Sequence, residues 1–366
     1  MKASITFLTW IILSTVANYP LYAQSQPNSP EQILLKDYRP VSLYQIETHQ
    51  IEKAKYPVID LHSHSYPDSP EQVEDWIRVM DSVGVNKSVV MTYQTGKTFD
   101  SLAQIYNQYP DRFILFCGFD YTGYDQPNYG PAAVAELERC VKMGAKGVGE
   151  LGDKGKGLFY SSPTKAFGMH IDDPRMKPLI KKCGELGIPI SIHVAEPMWM
   201  YEPMNEQNDG LMNAYKWRLD DQPDIVGHAG MVKILENAVR DNPNTTFIAC
   251  HYANCSYDLS ILGNLFDQYP NLYADNAARY AETATIPRYV ARFYEKYQDR
   301  LVFGTDMGTE PAMYRLLFRI METDDEHFYD RNRSSYHWAF NGYDLPPDVL
   351  EKVYRTNALK ILGLEE

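Results

Sequence analysis

Two histidines one residue apart, His62 and His64, close the apolar run Val58–His64. Side chains of an extended strand alternate faces, so both imidazoles leave the same face and can converge on one cation. Glu150, His251 and Asp306 each stand at the end of a further strand-like run, and His193 lies within another, Ile190-Ser191-Ile192-His193. Imidazole nitrogens combined with carboxylate oxygens suit zinc and similar divalent ions. Such an ion lowers the pKa of bound water to about 7. Asp306 can then take and return the proton. Taken singly, each residue has a plainer reading. A lone His after a strand is more often a satisfied core residue, Glu150 could pair with Lys154, and Asp306 before Met307-Gly308 could cap a turn. Taken together, that many buried ionisable groups at strand ends are costly unless something compensates them, and a shared ion does so.

These residues need a scaffold that brings strand ends together. From residue 58 onward, strand-like runs alternate with amphipathic helical stretches. The runs are Val58–His64, Lys87–Tyr93, Phe113–Asp120, Lys146–Leu151, Ile188–Ala195, Thr246–His251, Leu272–Asn276 and Leu301–Thr305. Eight strand-then-helix units predict a (β/α)8 TIM barrel, an α/β fold whose catalytic groups sit at the C-terminal ends of the strands, among long loops. A doubly wound sheet is the structural alternative, but no Gly-rich phosphate loop marks a strand–helix junction. Two long stretches interrupt the rhythm. Residues 196–227 are rich in Met and aromatic residues, among them Trp199 and Trp217, and read as a pocket wall or lid with an apolar lining. Residues 310–345 read as a second irregular insertion.

The 366 residues are 44% hydrophobic and 23% charged, with a net charge of −13. Composition of this kind is globular, and the acidic balance argues against nucleic acid as a partner. A mean hydropathy of −0.41 argues against a multispanning membrane protein. The first 23 residues pair Lys2 with a short apolar core and a small residue before Gln24, which reads as a secretory signal peptide; an uncleaved anchor is the alternative. Residues 24–55 read as an N-terminal arm and 56–366 as the barrel domain. The product expected is an exported, periplasmic or secreted protein that makes no membrane contact after signal removal. The five cysteines show no CxxC spacing, and their odd number leaves at least one unpaired thiol in a monomer.

The pattern resembles the amidohydrolase superfamily, in particular its amidohydrolase-related group. The resemblance runs from Val58 to Leu364, through His62-x-His64 on strand one, His193 on strand five, His251 on strand six and Asp306 on strand eight. It implies that His62, His64, His193 and Asp306 ligate a divalent metal. His251 either orients water and polarises the carbonyl beside a single ion, or ligates a second ion that Glu150 bridges to the first. The ligand count leans to two ions; with Glu150 as a substrate-facing or structural acid, one suffices. Zinc fits the histidines best, and manganese or iron would also accept such a site. Asp306 and His251 are the catalytic candidates. Arg279, Asn276 and Trp199 are the substrate-binding candidates, Arg279 as a bidentate partner for a carboxylate; a surface salt bridge is the alternative for Arg279. His228 and His170 are weaker candidates, and His49, His327 and His337 read as structural. The function expected is hydrolysis of an amide, ester or lactone of a small molecule by metal-bound hydroxide. A decarboxylase of an aromatic or unsaturated acid on the same scaffold is the first rival, and a non-catalytic binding protein the second. A homo-oligomer is compatible with all three.

Overall fold

The computed structural model describes residues 29–159, 164–330 and 336–365. The expected signal peptide, residues 1–23, lies outside them. The chain divides into a unit of residues 1–38 and a larger one of residues 39–366. In the first, Pro30–Gln32 and Leu35–Asp37 form single 3-10 turns. In the second, residues 39–57 carry no helix or strand. This stretch is pinned to the barrel by hydrogen bonds from His49 to Asp325 and from Ala54 N to Val83 O.

The strands are β1 Val58–His64, β2 Val85–Met91, β3 Phe113–Cys117, β4 Gly147–Asp153, β5 Gly157–Leu158, β6 Ala166–Phe167, β7 Ile190–Val194, β8 Phe247–Ala249, β9 Leu272–Asp275 and β10 Leu301–Val302. β5 and β6 form a small antiparallel pair outside the main sheet. The other eight pair in parallel in chain order, β1-β2-β3-β4-β7-β8-β9-β10. Closure comes from Leu61 N to Phe303 O at 2.8 Å and Asp306 N to His62 O at 2.9 Å. Helices fall between the strands, so this is a (β/α)8 TIM barrel.

Alternation explains the two layers. Ile59, Leu61, Val89, Met91, Ile114, Phe116, Ile248, Tyr273 and Val302 form one buried cluster inside the barrel. Their strand neighbours Val58, Val90, Leu115, Val148, Ile190 and Ile192 belong to the larger cluster under the helices. A register shift between Asp60 and Ser63 hands the interior from Leu61 to His62 and His64. Gly147 and Gly149 supply room: a Cβ would come within 2.5 Å of the Phe116 ring at the first and 2.8 Å of Ser191 Cβ at the second.

Several boundaries differ from expectation. β1 is as read, but β8 ends at Ala249 and β10 at Val302. His251 and Asp306, both expected as metal ligands, lie just beyond, at φ 59° and 55°, where the left-handed backbone has already left the sheet. The reading of 310–345 as irregular is corrected: Pro311–Glu322 is an α-helix burying Met313, Leu317, Ile320 and Met321. That i, i+4, i+7 spacing is helical, and Pro311 sits in the first turn where it is tolerated. Among the described residues, no helix is long and apolar enough to cross a membrane.

Candidate metal centre

The six residues expected to hold one or two ions gather at one end of the barrel, although His193 groups with Glu150 and His251 rather than with His62, His64 and Asp306. His64 Nε2 is 3.0 Å from Asp306 Oδ1, and His62 Nε2 is 3.7 Å from the same oxygen. Glu150 lies among four imidazoles. Its Oε1 is 3.0 Å from His193 Nδ1, 3.1 Å from His251 Nε2 and 3.9 Å from His62 Nε2. Its Oε2 is 3.5 Å from His64 Nε2. Two groups emerge in which all donor atoms lie within 4.8 Å of one another: His62, His64 and Asp306, and Glu150, His193 and His251. Ligands at 2.0–2.1 Å around a tetrahedral ion stand about 3.4 Å apart, and these separations bracket that value.

The far side of each ring fixes its tautomer. His62 Nδ1 donates to Asp275 Oδ2 at 2.8 Å, His64 Nδ1 to Met91 O at 2.9 Å, and His251 Nδ1 to Ala277 O at 2.8 Å. His193 is turned the other way, with Nε2 donating to Ala195 O at 2.9 Å. A carbonyl or carboxylate can only accept, so each ring carries its proton there and turns a lone pair inward. This is how metal-ligating histidines are oriented.

Four lone pairs and two carboxylates are all acceptors, and they cannot face one another without a cation between them. His62 Nε2 states the problem most directly: it is buried and has no hydrogen-bond partner among the described residues. Without an ion the site must fill with protons. Burial works against a charge on His62, but Asp275, Asp306 and Glu150 outweigh it and raise its pKa to about 10. Burial opposes ionisation of Glu150 too, yet His193, His251 and His62 hold it well below the usual carboxylate range. Asp306 is held low in the same way by His62, His64 and His251. Of the four imidazoles only His251 is pushed down, by burial first. The donor set therefore fits a divalent ion, which would supply the charge those protons otherwise bring.

A cavity of about 330 Å³ opens beside the donors, lined by His193, His251 and Asp306 together with Lys154, Glu196, Met200, Trp217, Arg279, Glu282 and Tyr336. Of the expected substrate contacts, Arg279 is there. Its Nε donates to Asn254 Oδ1 at 2.7 Å and its Nη2 is 3.6 Å from Glu196 Oε2, so it is buried beside the cavity rather than paired on the surface. Asn276 is turned elsewhere: its Oδ1 accepts from Gly304 N at 3.0 Å and its Nδ2 faces Met321 Sδ. The amide ties the end of β9 to β10, and both ends of it are engaged by protein. Trp199 lies in a different cavity, with Asp209 and Tyr257, and its Nε1 donates to Asp209 Oδ1. Of the aromatic loop, Trp217 and Met200 reach the site instead.

Other readings also resolve. Lys154 pairs with Glu196, leaving Glu150 to the histidines. His170 bonds Asp153 at 2.6 Å and His228 bonds Asn254 O at 2.9 Å, both away from the donors. All five cysteines are buried, and none forms a disulfide. Cys250 also lies within reach of His62 and Glu150, and burial with the nearby Asp275 and Glu150 pushes its thiol well up. Asp275 stands with Asn276 at the end of the run Leu272–Asn276, but its type and place alone assign it no role. It is fully buried and accepts from His62 Nδ1, His251 N and Ala277 N. Glu196 and Glu282 carried no signal, because both lie on irregular or single-turn segments.

A sequence profile of a family described as amidohydrolase matches residues 49–364. Among curated protein sequences, none matches this chain. In fold, the chain is similar to an uncharacterised TIM-barrel protein from Bordetella bronchiseptica, at TM-score 0.54 and 17% identity over 84% of this chain and 98% of that one. It is also similar to 2,6-dihydroxybenzoate decarboxylase from Rhizobium, at TM-score 0.52 and 16% identity over 84% and 99%. The third is 5-carboxyvanillate decarboxylase from Novosphingobium aromaticivorans, complexed with manganese and a nitrobenzoic acid, at TM-score 0.51 and 15% identity over 87% and 100%.

Proposed function

The chain belongs to the amidohydrolase family, and from that premise we propose that it is a metal-dependent hydrolase of an amide, ester or lactone carbonyl in a small molecule. The observation that carries this is Glu150, whose two oxygens face different imidazoles, so that one carboxylate serves both donor triads. The set His62, His64 and Asp306 suits one ion and Glu150, His193 and His251 a second, with zinc favoured by four imidazoles. When bound, divalent ions supply Lewis acidity, polarising a carbonyl and acidifying water. The chain's own residues do the rest. Asp306, about one quarter exposed on its side chain and on the cavity wall, takes a proton from the attacking water at Oδ2 and returns it to the leaving nitrogen or oxygen. Arg279, held by Asn254 and Glu196, orients an anionic or carbonyl group of the substrate. Met200 and Trp217 exclude bulk water from that wall. Export by residues 1–23 is part of the same proposal, and N-terminal sequencing of protein recovered from outside the cytoplasm tests it.

A second reading, decarboxylation of an aromatic acid, is favoured by the two decarboxylases of like fold, one with manganese in its structure, and by Arg279 standing near the aromatic wall. Elemental analysis of native protein decides first: two ions per chain support hydrolysis, one favours decarboxylation. A panel of esters, lactones, amides and aromatic acids then follows, with CO2 measured directly. Asp306→Asn should remove turnover while the protein stays folded; full turnover in that variant overturns the hydrolase reading.

A further inference from the structure

The cavity holds an acid that the proposed reaction does not use. Glu282 lies on the helical turn Tyr280–Thr283 after β9 and is 3% exposed. Its Oε1 accepts from Tyr336 Oη at 3.0 Å. Tyr336 Oη in turn accepts from Asn213 Nδ2 at 3.0 Å. A phenol has one proton, and with Asn213 donating to its oxygen, that proton is committed to Glu282. Oε1 is therefore engaged. Oε2 is buried and has no hydrogen-bond partner among the described residues, an arrangement native proteins rarely leave unmatched. Asn213, Glu282 and Tyr336 all line the cavity that His251 and Asp306 line.

A purely structural acid would explain Oε1, since tethering Tyr336 takes one oxygen. It does not explain a second oxygen left bare in the wall of the reaction cavity, one helical turn from Arg279. Burial raises the Glu282 pKa and Arg279 opposes it, so the group has no strong cation of its own to satisfy it.

We propose that Glu282 Oε2 is a specificity-determining acceptor for a hydroxyl group of the substrate. The proposal rests on the metal-dependent reading of the same cavity. A hydroxyl donates to this oxygen and completes the chain Asn213, Tyr336, Glu282, substrate. A methoxy group at the same ring position, larger by one methyl, cannot donate and leaves the oxygen bare.

The test uses benzoate, its three hydroxy isomers and the three matching methoxy compounds as probes. Each offers a carboxylate for the ion and a flat ring for the Trp217 and Tyr336 walls. Binding to zinc-loaded full-length protein is measured by calorimetry, and metal content by elemental analysis in every variant. In the wild type, at least one hydroxy isomer should bind about 10–100-fold more tightly than its methoxy counterpart. In Glu282→Gln, Oε1 still accepts from Tyr336 and an amide N–H replaces Oε2. The preference should then fall to within about threefold, at unchanged metal content. Tyr336→Phe, which keeps the ring and frees Oε1, should weaken the preference by a smaller factor, and it carries the test if Glu282→Gln does not fold. A metal-loaded wild type with no hydroxy preference in any pair overturns the proposal. So does a folded, metal-replete variant that keeps the full preference. Protein that takes up no divalent ion overturns the parent reading as well, and elemental analysis shows that outcome separately.

Discussion

Replacing Asp275 by Asn should weaken metal binding without unfolding the protein. Asp275 receives three donors: His62 Nδ1 at Oδ2, and the backbone N–H groups of His251 and Ala277 at Oδ1, at 2.8, 2.8 and 3.1 Å. An amide has one acceptor oxygen and one donating nitrogen, so Asp275→Asn cannot satisfy all three. If the oxygen serves the two backbone donors, the NH2 faces His62 Nδ1 and drives that ring to its other tautomer. The proton then sits on Nε2, where the lone pair for the ion was. If the oxygen serves His62 instead, two buried backbone N–H groups lose their partner, and the turn that carries His251 moves. The first arrangement loses fewer bonds and should prevail. Loss of such an orienting partner lowers metal affinity by about 10–100-fold, which is about 1.4–2.8 kcal/mol. Competition against a chelator of known affinity measures this directly, with circular dichroism to confirm the fold. An affinity within about twofold of wild type in a folded Asp275→Asn protein would refute the tautomer argument, and with it the claim that His62 offers Nε2 to an ion.

Three further outcomes follow from the geometry. Trp217→Ala should raise KM several-fold because Trp217 lines the reaction cavity, whereas Trp199→Ala should change KM little and lower stability, since its indole packs with Trp338 and bonds Asp209; steady-state kinetics beside urea unfolding separates the two, and a larger KM effect at Trp199 would reverse the assignment. Gly304→Ala should lower both stability, by about 1–3 kcal/mol, and metal affinity, because its Cβ would meet His62 Cβ at 2.6 Å and Ala277 Cβ at 3.2 Å; normal metal content would show that the barrel closure absorbs the methyl. Glu136 joins two helices by accepting from Gly96 N and Arg139, and the Arg139 pairing lowers its pKa from 4.5 to about 2 against the effect of burial. A depressed carboxylate contributes fully above its unfolded value and loses its contribution as pH falls through the folded one. The stability gap between wild type and Glu136→Gln should thus be about 1.5–3 kcal/mol near neutral pH and close between pH 4.5 and 2; a gap independent of pH would remove the ion pair as its cause.

What could be read from the sequence was set by where each group's partner lies. His62, His64, Glu150, His193, His251 and Asp306 are polar residues in or just after apolar runs, so period and burial cost mark them in the sequence. The same period misplaced strand ends, because His251 and Asp306 occupy left-handed backbone that a run of residue types does not mark. Asn276 stands near a strand end and Trp199 in an aromatic loop, and nearness to the site is a property of the fold. One turn of backbone sends Asn276 to Gly304 and Trp199 to Asp209, while Trp217, eighteen residues further along the chain, reaches the site. The helix Pro311–Glu322 was legible by its spacing and was obscured only by the loops around it. The anchors of three histidines could not have been read at all, because Met91 O, Ala277 O and Ala195 O are main-chain atoms. Any side chain at those positions presents the same carbonyl. It follows that the ring orientation of His64 and His251 depends on strand register rather than residue identity, whereas Glu196 also faces His193 Nε2, at 3.7 Å. Substituting Leu for Met91 should leave His64 aimed as it is, whereas His62, whose Nδ1 is held by the Asp275 carboxylate, can be turned by changing that carboxylate to an amide.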